Sequence, residues 1–203
     1  MCWCVKTQIF QLKSIAIYGA GGFGKELRGL LHHPGFRDYS FAGFLDDFKS
    51  VQPVAKEGGY DDVVVAIANC ADRRSIAAKL GSRFDFEKII HPSVYLDGSI
   101  KIKKGSILCD GVKLTVDISI GEFVIVNLNA TIGHDVLIED FVSIMPSVNI
   151  SGNVTIGKGT FIGTGATVLQ GLSIGQNVII GAGAVVTKNI PDNSIAKGVP
   201  ARF

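Results

Sequence analysis

This sequence has little net charge, no basic cluster and no long apolar segment. Its 203 residues include 20 Lys and Arg against 18 Asp and Glu, for a formal net charge of +2. A nucleic acid needs a concentrated positive surface, so the sequence predicts no nucleic-acid partner. No apolar run approaches the ~18 to 20 residues of a membrane-spanning helix, so we expect no membrane segment.

Cysteine is also scarce, with only Cys2, Cys4, Cys70 and Cys109. The first two are spaced closely enough for a metal site, but no matching Cys or His pair follows them. We therefore expect free thiols in a reducing, cytoplasmic setting. Residues 1–13 lack the continuous apolar core of a signal peptide, and we interpret them as an N-terminal extension.

After this extension, the sequence shows an α/β pattern that begins at residue 14. Short apolar strands are predicted in SIAIYG, SFAGFLDD and DDVVVAIA, and a helix in GFGKELRGLLHH. A second helix is predicted in ADRRSIAAKLGSR, beginning near Asp72 and ending near Gly81. The consecutive valines of the third strand are typical of a strand that is buried on both faces. These features predict a small α/β domain.

Residues 90–190 follow a hexapeptide repeat. Every sixth position from Ile90 to Val186 is aliphatic without exception, and neither a helix nor a flat strand has this period. The third position after each aliphatic is Gly, Asn, Asp or Ser, types that tolerate tight turns, in every repeat except those of Phe123 and Phe141. Three hexads make one triangular coil, so the sequence predicts a β-solenoid of five to six coils without an inserted loop.

A glycine-rich turn, YGAGGFG, joins the first predicted strand to the first helix. Gly19, Gly21 and Gly24 fit the spacing G-x-G-x-x-G, and backbone N–H groups at such a helix start can hold phosphate. Asp46 and Asp47 end the next strand, where a carboxylate can bind a ribose. The alternatives are a structural turn and a full dinucleotide site, but the domain is too short for a doubly wound sheet. A single nucleotide fits better.

His134 and Asp135 are the catalytic candidates of the solenoid. His134 follows the aliphatic Ile132 by two positions, so it should point outward from a corner. Histidine takes up and releases protons near neutral pH, and an adjacent carboxylate can orient it, as a general base requires. Gly152, one full coil further along the sequence, should stack beside it and offer an N–H to a carbonyl that gains charge. A surface histidine beside ordinary turn residues is the alternative.

Taken together, the motifs resemble the hexapeptide-repeat nucleotide-sugar acetyltransferases over roughly residues 14–203. The matching segments are YGAGGFGKE, FLDDFK, IGHD, SGNVTIG, GAGAVVTKNI and GVPAR. This group includes the UDP-amino-sugar N-acetyltransferases of pilin glycosylation and proteins like the sialic-acid O-acetyltransferases. The resemblance implies a Rossmann-like UDP-sugar-binding domain at 14–89 and a left-handed parallel β-helix at 90–190. It also implies a tail at 191–203 near the acetyl-CoA site, and a homotrimer with active sites between subunits.

The same resemblance implies N-acetylation of a UDP-linked amino-dideoxy sugar by acetyl-CoA, without a metal. His134 would be the base, Asp135 would orient it, and transfer would be direct. The implied substrate-binding residues are Gly21, Gly22, Phe23, Gly24, Asp46, Asp47 and Asn127; Asn127 would otherwise cap its coil. The implied acetyl-CoA-binding residues are Gly152, Gly163, Gly165, Lys188, Lys197 and Pro200.

Two positions depart from the family pattern. Many relatives carry a histidine where this chain has Phe23, and some carry a second where it has Ser143. Both positions are expected on the side where the sugar and the acetyl group meet.

Other functions are compatible with parts of this sequence. The alternatives are O-acetylation of sialic acid or another glycan, and a non-catalytic nucleotide-binding scaffold. A metalloenzyme on the same helix would need three His ligands, whereas only His134 lies clearly within the coils. A nicotinamide oxidoreductase would use the glycine turn but would leave the repeat unexplained.

Overall fold

The structure, a computed structural model, describes residues 12–47, 59–60 and 62–203, without the side chain of Ser82. Several features of the sequence lie outside these residues: Cys2, Cys4, nearly all of the N-terminal extension, the end of FLDDFK and the first residue of DDVVVAIA. The described chain forms a small parallel α/β sheet followed by a left-handed β-helix of hexapeptide repeats. No helix within it is long and apolar enough to cross a membrane.

The N-terminal sheet is parallel throughout, with strand order β2-β1-β3-β4. Its elements are β1 Lys13–Tyr18, α1 Gly22–Leu30, β2 Tyr39–Leu45, β3 Asp62–Val65, α2 Cys70–Leu80 and β4 Asp85–Phe86. Short 3-10 turns follow the two helices, at Pro34–Phe36 and Gly81–Arg83. Val63, Val64 and Val65 are fully buried, which confirms the prediction that the third strand is buried on both faces.

Both helices differ slightly from their predicted bounds. The first ends at Leu30, before the predicted HH. The second begins at Cys70, earlier than predicted, because the side chain of Asn69 caps it. The Asn69 amide oxygen accepts hydrogen bonds from the N–H groups of Ala71 and Asp72, at 2.9 and 3.1 Å.

Three parallel sheets form the faces of a triangular prism. Sheet I contains β5 Ile89–Ile90, β7 Ile107–Leu108, β10 Ile125–Val126, β13 Ser143–Ile144, β16 Phe161–Ile162, β19 Ile179–Ile180 and β21 Ile195–Ala196. Sheet II contains β8 Lys113–Leu114, β11 Thr131–Ile132, β14 Asn149–Ile150, β17 Thr167–Val168 and β20 Val185–Val186. Sheet III contains β6 Lys101–Ile102, β9 Ser119–Ile120, β12 Leu137–Ile138, β15 Thr155–Ile156 and β18 Ser173–Ile174.

The predicted period sets both the register and the core of the prism. Strands that pair, up to β20, are separated by three hexads in the sequence, as Ile132 and Ile150 are. The aliphatic residues of the repeat point inward, and Ile132, Ile138 and Ile144 are 1% exposed or less. The prediction of a solenoid built from coils of three hexads is therefore confirmed.

Left-handed corners connect the faces, at the turn positions that the sequence indicates. They run from Gly105, with φ of 69°, to Gly183, with φ of 67°. Phe123 and Phe141 have φ of 54° and 60°, so these two exceptions in the sequence keep the backbone of the pattern. A left-handed phenylalanine is unfavourable unless its surroundings enforce it.

The N-terminal domain packs on sheet I. Ile107 and Ile125 of sheet I belong to the same hydrophobic cluster as Ile15 and Ile17 of β1. The chain passes from sheet I to sheet II to sheet III in each coil, so the II–III corner is the edge of the prism opposite sheet I. Any group at the II–III corner is therefore separated from the N-terminal domain of its own chain by the width of the prism.

Candidate active site

His134 lies at the II–III corner, two residues after the end of β11. Its Nδ1 is 2.7 Å from Oδ2 of Asp135, and both side chains are 60% exposed. An ionised carboxylate only accepts hydrogen bonds, so this contact keeps the proton on Nδ1 and leaves the lone pair on Nε2. The Nε2 atom is thus prepared to take a proton from a ligand.

The backbone of Asp135 contributes to this geometry. Its φ of 57° is left-handed, a conformation that Asp tolerates better than most residues. The sharp corner turns the carboxylate back toward the preceding imidazole. Asp135 therefore serves the turn and orients the histidine at once, and the two interpretations of this residue are compatible.

Gly152 lies beside the imidazole, one coil further along. A Cβ atom at this position would be 2.5 Å from Nε2 of His134. The left-handed residue of this corner is Asn153, with φ of 54°, so the turn itself does not demand glycine at position 152. Among the described residues no acceptor takes the Gly152 N–H. Space for the imidazole explains this glycine, and its N–H is available to a ligand.

The glycine turn before α1 divides into packing positions and open positions. Gly19 has φ of 110°, and a Cβ at Gly24 would lie 1.8 Å from its carbonyl oxygen. Gly24 is buried and lets the helix pack against the turn. At Gly21 and Gly22 an added Cβ would meet no atom of the described residues within 4 Å. The exposed backbone at the start of α1, where phosphate would bind, is thus Gly21–Gly22.

A cavity of about 340 Å³ lies at the carboxyl ends of the N-terminal strands. It is lined by Tyr18, Asp46, Asp47, Ile67, Asp72, Ser75 and Ile76. Oδ2 of Asp46 accepts a hydrogen bond from the Ala20 N–H at 2.8 Å, which ties the carboxylate to the glycine turn. This cavity, called here the nucleotide cavity, has the position expected for a ligand of an open α/β sheet.

Charge within the nucleotide cavity is partly compensated. Lys79 of α2 contacts both carboxylate oxygens of Asp47 at 2.7 Å, and this hydrogen-bonded ion pair lowers the pKa of Asp47. Burial, and then the nearby Asp47 carboxylate, raise the pKa of Tyr18. Asp47 is therefore ionised and Tyr18 protonated at neutral pH, so the cavity offers both acceptors and a donor.

A second cavity, of about 360 Å³, separates α1 from the first coils. Phe23 lines it, together with Glu26, Leu27, Gly29, Leu30, His33, His91, Cys109, Asp110 and Leu128. One wall carries a hydrogen-bonded network that the sequence motifs did not indicate. Ser93 donates through Oγ to Asp110 Oδ1 at 2.6 Å and through its N–H to Nδ1 of His91 at 3.1 Å. His91 and Ser93 each precede Asp110 by close to one coil, and this spacing could have predicted that the three side chains lie together.

Ser143 corrects one expectation. Its side chain is fully buried, and its Oγ donates to the Ala68 carbonyl oxygen at 2.7 Å, beneath the N-terminal domain. The prediction that this position faces the meeting point of sugar and acetyl group is wrong. The repeat gives a residue's place in the coil but not the face that another domain covers.

The remaining predicted site residues do not gather around His134 in one chain. Asn127 lies at the I–II corner, where its side-chain oxygen accepts the N–H of Leu128 at 2.7 Å. The residues predicted for acetyl-CoA occupy three places: Gly152 and Lys188 at the II–III corner, Gly163 and Gly165 at the I–II corner, and Lys197 and Pro200 in the tail. Only Gly152 adjoins the histidine.

Families that match this chain cover both of its halves. The PglD N-terminal domain family matches residues 14–80. The bacterial transferase hexapeptide family, of six repeats, matches residues 135–170 and 153–188.

Solved structures match nearly the whole chain. The acetyltransferase domain of PglB from Neisseria gonorrhoeae FA1090 is 35% identical, with a TM-score of 0.83, over 94% of this chain and 98% of that chain. PerB from Caulobacter crescentus, in complex with CoA and GDP-perosamine, is 30% identical, with a TM-score of 0.87, over 94% and 97%. WeeI from Acinetobacter baumannii AYE is 31% identical, with a TM-score of 0.71, over 94% and 99%.

The two halves are thus joined here as they are joined in these relatives, which confirms the resemblance carried by the sequence motifs. The corner histidine, the open glycine turn and the matches together lead to one conclusion: the chain belongs to the hexapeptide-repeat nucleotide-sugar acetyltransferases and is an acyltransferase.

Proposed function

We propose that this protein transfers the acetyl group of acetyl-CoA to the amine of a UDP-linked amino-dideoxy sugar, with His134 as general base. The observation that carries the proposal is the His134–Asp135 pair lying over Gly152. PerB was solved with CoA and GDP-perosamine, and the PglB domain with acetyl coenzyme A. These relatives support an acetyl-CoA donor and a nucleotide-sugar acceptor. We expect UDP as the nucleotide that carries the sugar, and GDP is the alternative. Because acetyl-CoA is a cytoplasmic metabolite, we propose that the enzyme acts there.

The reaction follows from the atoms at the corner. The sugar amine forms a bond to the thioester carbonyl carbon while Nε2 of His134 takes the amine proton. The carbonyl oxygen becomes an oxyanion and meets the Gly152 N–H. The C–S bond then breaks, and the leaving sulfur receives the proton from the imidazolium, which Asp135 stabilises. General-base catalysis of this kind contributes about 10²- to 10⁴-fold, and one oxyanion donor contributes about 10²- to 10³-fold.

Direct transfer is favoured because the described thiols are unsuited to a covalent step. Cys70 and Cys109 are both buried, and burial raises the pKa of Cys109 to about 12. The nucleophilic form of cysteine is the thiolate, which is scarce at this pKa. Both thiols also lie on the side of sheet I, away from His134.

The placement of the two half-sites supports an assembly of several copies. The nucleotide cavity belongs to the domain on sheet I, whereas His134 lies at the opposite edge of the prism. A sugar held by one chain therefore cannot reach the imidazole of the same chain. The site becomes complete only if a second copy brings its His134 to the N-terminal domain of the first.

One surface of the β-helix suits such a contact. The I–II corner and the outward residues of sheet II carry no charged side chain over four coils, at 127–131, 145–149, 163–167 and 181–185. The III–I corner, by contrast, carries Lys104, Glu122, Asp140 and Lys158. Depletion of charge is characteristic of the centre of an interface. This uncharged strip supports the proposed homotrimer.

The strip also accounts for the separated acetyl-CoA residues. Gly163 and Gly165 belong to it, while Gly152 and Lys188 lie at the II–III corner. If the strip of one copy faces the II–III corner of the next, these residues line a single groove between subunits. We propose that acetyl-CoA lies in that groove, with its thioester at Gly152 and its phosphates toward Lys188 and Lys197 of the tail.

A thiol-release assay tests the proposed reaction. The purified protein is incubated with acetyl-CoA and, in turn, with UDP-4-amino and UDP-3-amino sugars, their GDP counterparts and sialic acid. We expect thiol release with a UDP-amino sugar and a product heavier by one acetyl group. Release only with sialic acid would favour the O-acetyltransferase alternative, and a GDP preference would correct the carrier. Tight nucleotide binding without turnover of any acceptor would favour the scaffold.

A further inference from the structure

Arg73 of α2 is fully buried where the two domains meet. No carboxylate of the described residues pairs with it, although a buried cation ordinarily has one. Burial lowers its pKa to about 10, so the guanidinium remains charged at neutral pH. The charge is held by backbone carbonyl groups instead.

The geometry uses every N–H that an arginine possesses. Arginine has five such donors in a rigid plane, and five carbonyl oxygens accept them. Nε donates to the carbonyl oxygen of Phe123 at 2.8 Å. Nη1 donates to the carbonyl oxygens of Ile67 and Ala68 at 2.6 and 3.1 Å. Nη2 donates to those of Phe141 and Val142 at 2.8 and 3.1 Å. Two acceptors lie in the segment between β3 and α2, and three belong to the β-helix. Arg73 therefore joins the two domains directly.

The acceptors on the β-helix are the two exceptional corners of the repeat. Within the described part of the chain, the carbonyls of Phe123 and Phe141 accept no backbone N–H, as is usual for left-handed corners of this helix, but here the N-terminal domain covers them. Arg73 supplies the donors that solvent supplies elsewhere. The two rings stack with centroids 5.1 Å apart and planes 3° apart, and Phe86 of β4 packs edge-on against Phe123.

The same helix forms one wall of the nucleotide cavity. Asp72, Ser75 and Ile76 of α2 line the cavity, as does Ile67, whose carbonyl Arg73 binds. The orientation of this wall relative to the β-helix thus depends on the guanidinium. In the assembled enzyme the β-helices carry the catalytic histidines, so this orientation sets where a bound sugar amine lies.

We propose that Arg73 is a positioning residue that, with the Phe123 and Phe141 corners, fixes the docking angle of the nucleotide-binding domain and thereby aligns the acceptor amine with His134 of a neighbouring copy. The inference rests on the proposed function. It assigns the two phenylalanines that break the turn pattern to domain docking. It also requires arginine specifically, because lysine has three donors on one atom and cannot span five carbonyls.

The test uses Arg73→Lys and Arg73→Gln in the full-length protein, with Arg74→Met as the matched control. Arg74 is the next residue and is exposed; its guanidinium lies over the Phe141 ring at 5.8 Å and donates to Oδ1 of Asn177 at 3.3 Å. Arg74→Met therefore removes a surface contact with the β-helix but no hydrogen bond to the corner carbonyls. We expect kcat to fall about 10- to 100-fold in the Arg73 variants, since misplacing an acceptor by about 1 Å costs this much. The dissociation constants for nucleotide and for acetyl-CoA should stay within about threefold, because each binding surface is intact.

A second readout needs no catalysis. Amide hydrogen exchange at 121–125 and 139–143 should be faster in the Arg73 variants than in wild type, and unchanged in Arg74→Met. This result would stand even if no acceptor were acetylated, so a failure of the proposed function is distinguishable from a failure of the inference.

Four outcomes overturn the inference. These are a kcat within threefold of wild type, an equal loss in Arg74→Met, a loss confined to nucleotide affinity, or no folded oligomer from either Arg73 variant. The last outcome would make Arg73 a folding residue only.

Discussion

At the residue scale, the corner around His134 shows a glycine required by a side chain and not by its own backbone. Gly152 lacks the left-handed φ of Asn153, the turn residue that follows it. The imidazole of His134 lies where a Cβ at position 152 would be. The coil spacing predicts that the two residues stack, but only the structure distinguishes the steric requirement from turn chemistry.

This gives a prediction for Gly152→Ala. The backbone accepts alanine, but the new methyl group pushes the imidazole away from the Gly152 N–H and strains its contact with Asp135. We expect kcat to fall about 10²-fold, comparable to losing general-base catalysis, while the urea unfolding midpoint changes little. Ser151→Ala, at the same corner, should retain activity. Wild-type kcat in Gly152→Ala would show that the imidazole position is not critical.

Cys109 provides a prediction about pH. Its folded pKa of about 12 lies above the ordinary value of 9.0, so between these values the unfolded chain loses a proton that the folded chain keeps. The free energy of unfolding therefore falls as pH rises through this window, by at most about 1.4 kcal/mol per pH unit from this group. Cys109→Ala lacks this thiol, so its stability should fall less steeply with pH than that of wild type. The gap between the thermal midpoints of the two proteins should therefore narrow between pH 8 and 10.5.

The same variant tests direct transfer. Cys109→Ala should keep its kcat, because the proposed transfer is direct and needs no acyl-enzyme. A stability gap that is constant with pH would contradict the buried, protonated thiol, and an acetylated cysteine in a quenched reaction would contradict direct transfer.

At the element scale, the β-helix was predictable because a single period determines it. Aliphatic residues every six positions set the inward face, and small or polar residues set the corners. Phe123 and Phe141 break the chemical pattern but not the backbone, because contacts from another domain enforce their conformation. A local sequence pattern carries no information about such distant partners, and for this reason Arg73 was not anticipated.

The start of α1 gives a prediction at this scale. Gly22 has open space for a side chain, and an acid in the first turn of a helix does not disfavour the helix. Gly22→Asp should leave the fold intact while its charge repels phosphate. We expect the dissociation constant for UDP, measured by calorimetry, to rise at least about tenfold, with Gly22→Ser close to wild type. If the UDP affinity of Gly22→Asp were unchanged, the phosphates of UDP would bind somewhere other than this turn.

At the scale of the whole molecule, the sequence predicts two domains but not how they dock. The motifs predict a phosphate-binding turn and a catalytic pair in separate units. Only the packing of the first domain on sheet I puts these sites on opposite sides of the prism. The Ser143 prediction failed for the same reason, since the covered face depends on long-range packing. The proposed intersubunit site follows from this placement.

The most direct test of that central claim is complementation between two variants that are each impaired in a different half of the proposed site. His134→Ala lacks the proposed base, and Gly22→Asp has a weakened proposed phosphate site. Each variant is assayed alone, and the two are then co-expressed in equal amounts and assayed at nucleotide-sugar concentrations well below the wild-type KM. If each site takes His134 from one copy and the nucleotide cavity from the next, random assembly restores about a quarter of the sites in a cyclic oligomer. The account predicts thiol release near one quarter of the wild-type rate. Co-expressed protein no more active than its separate components would contradict it.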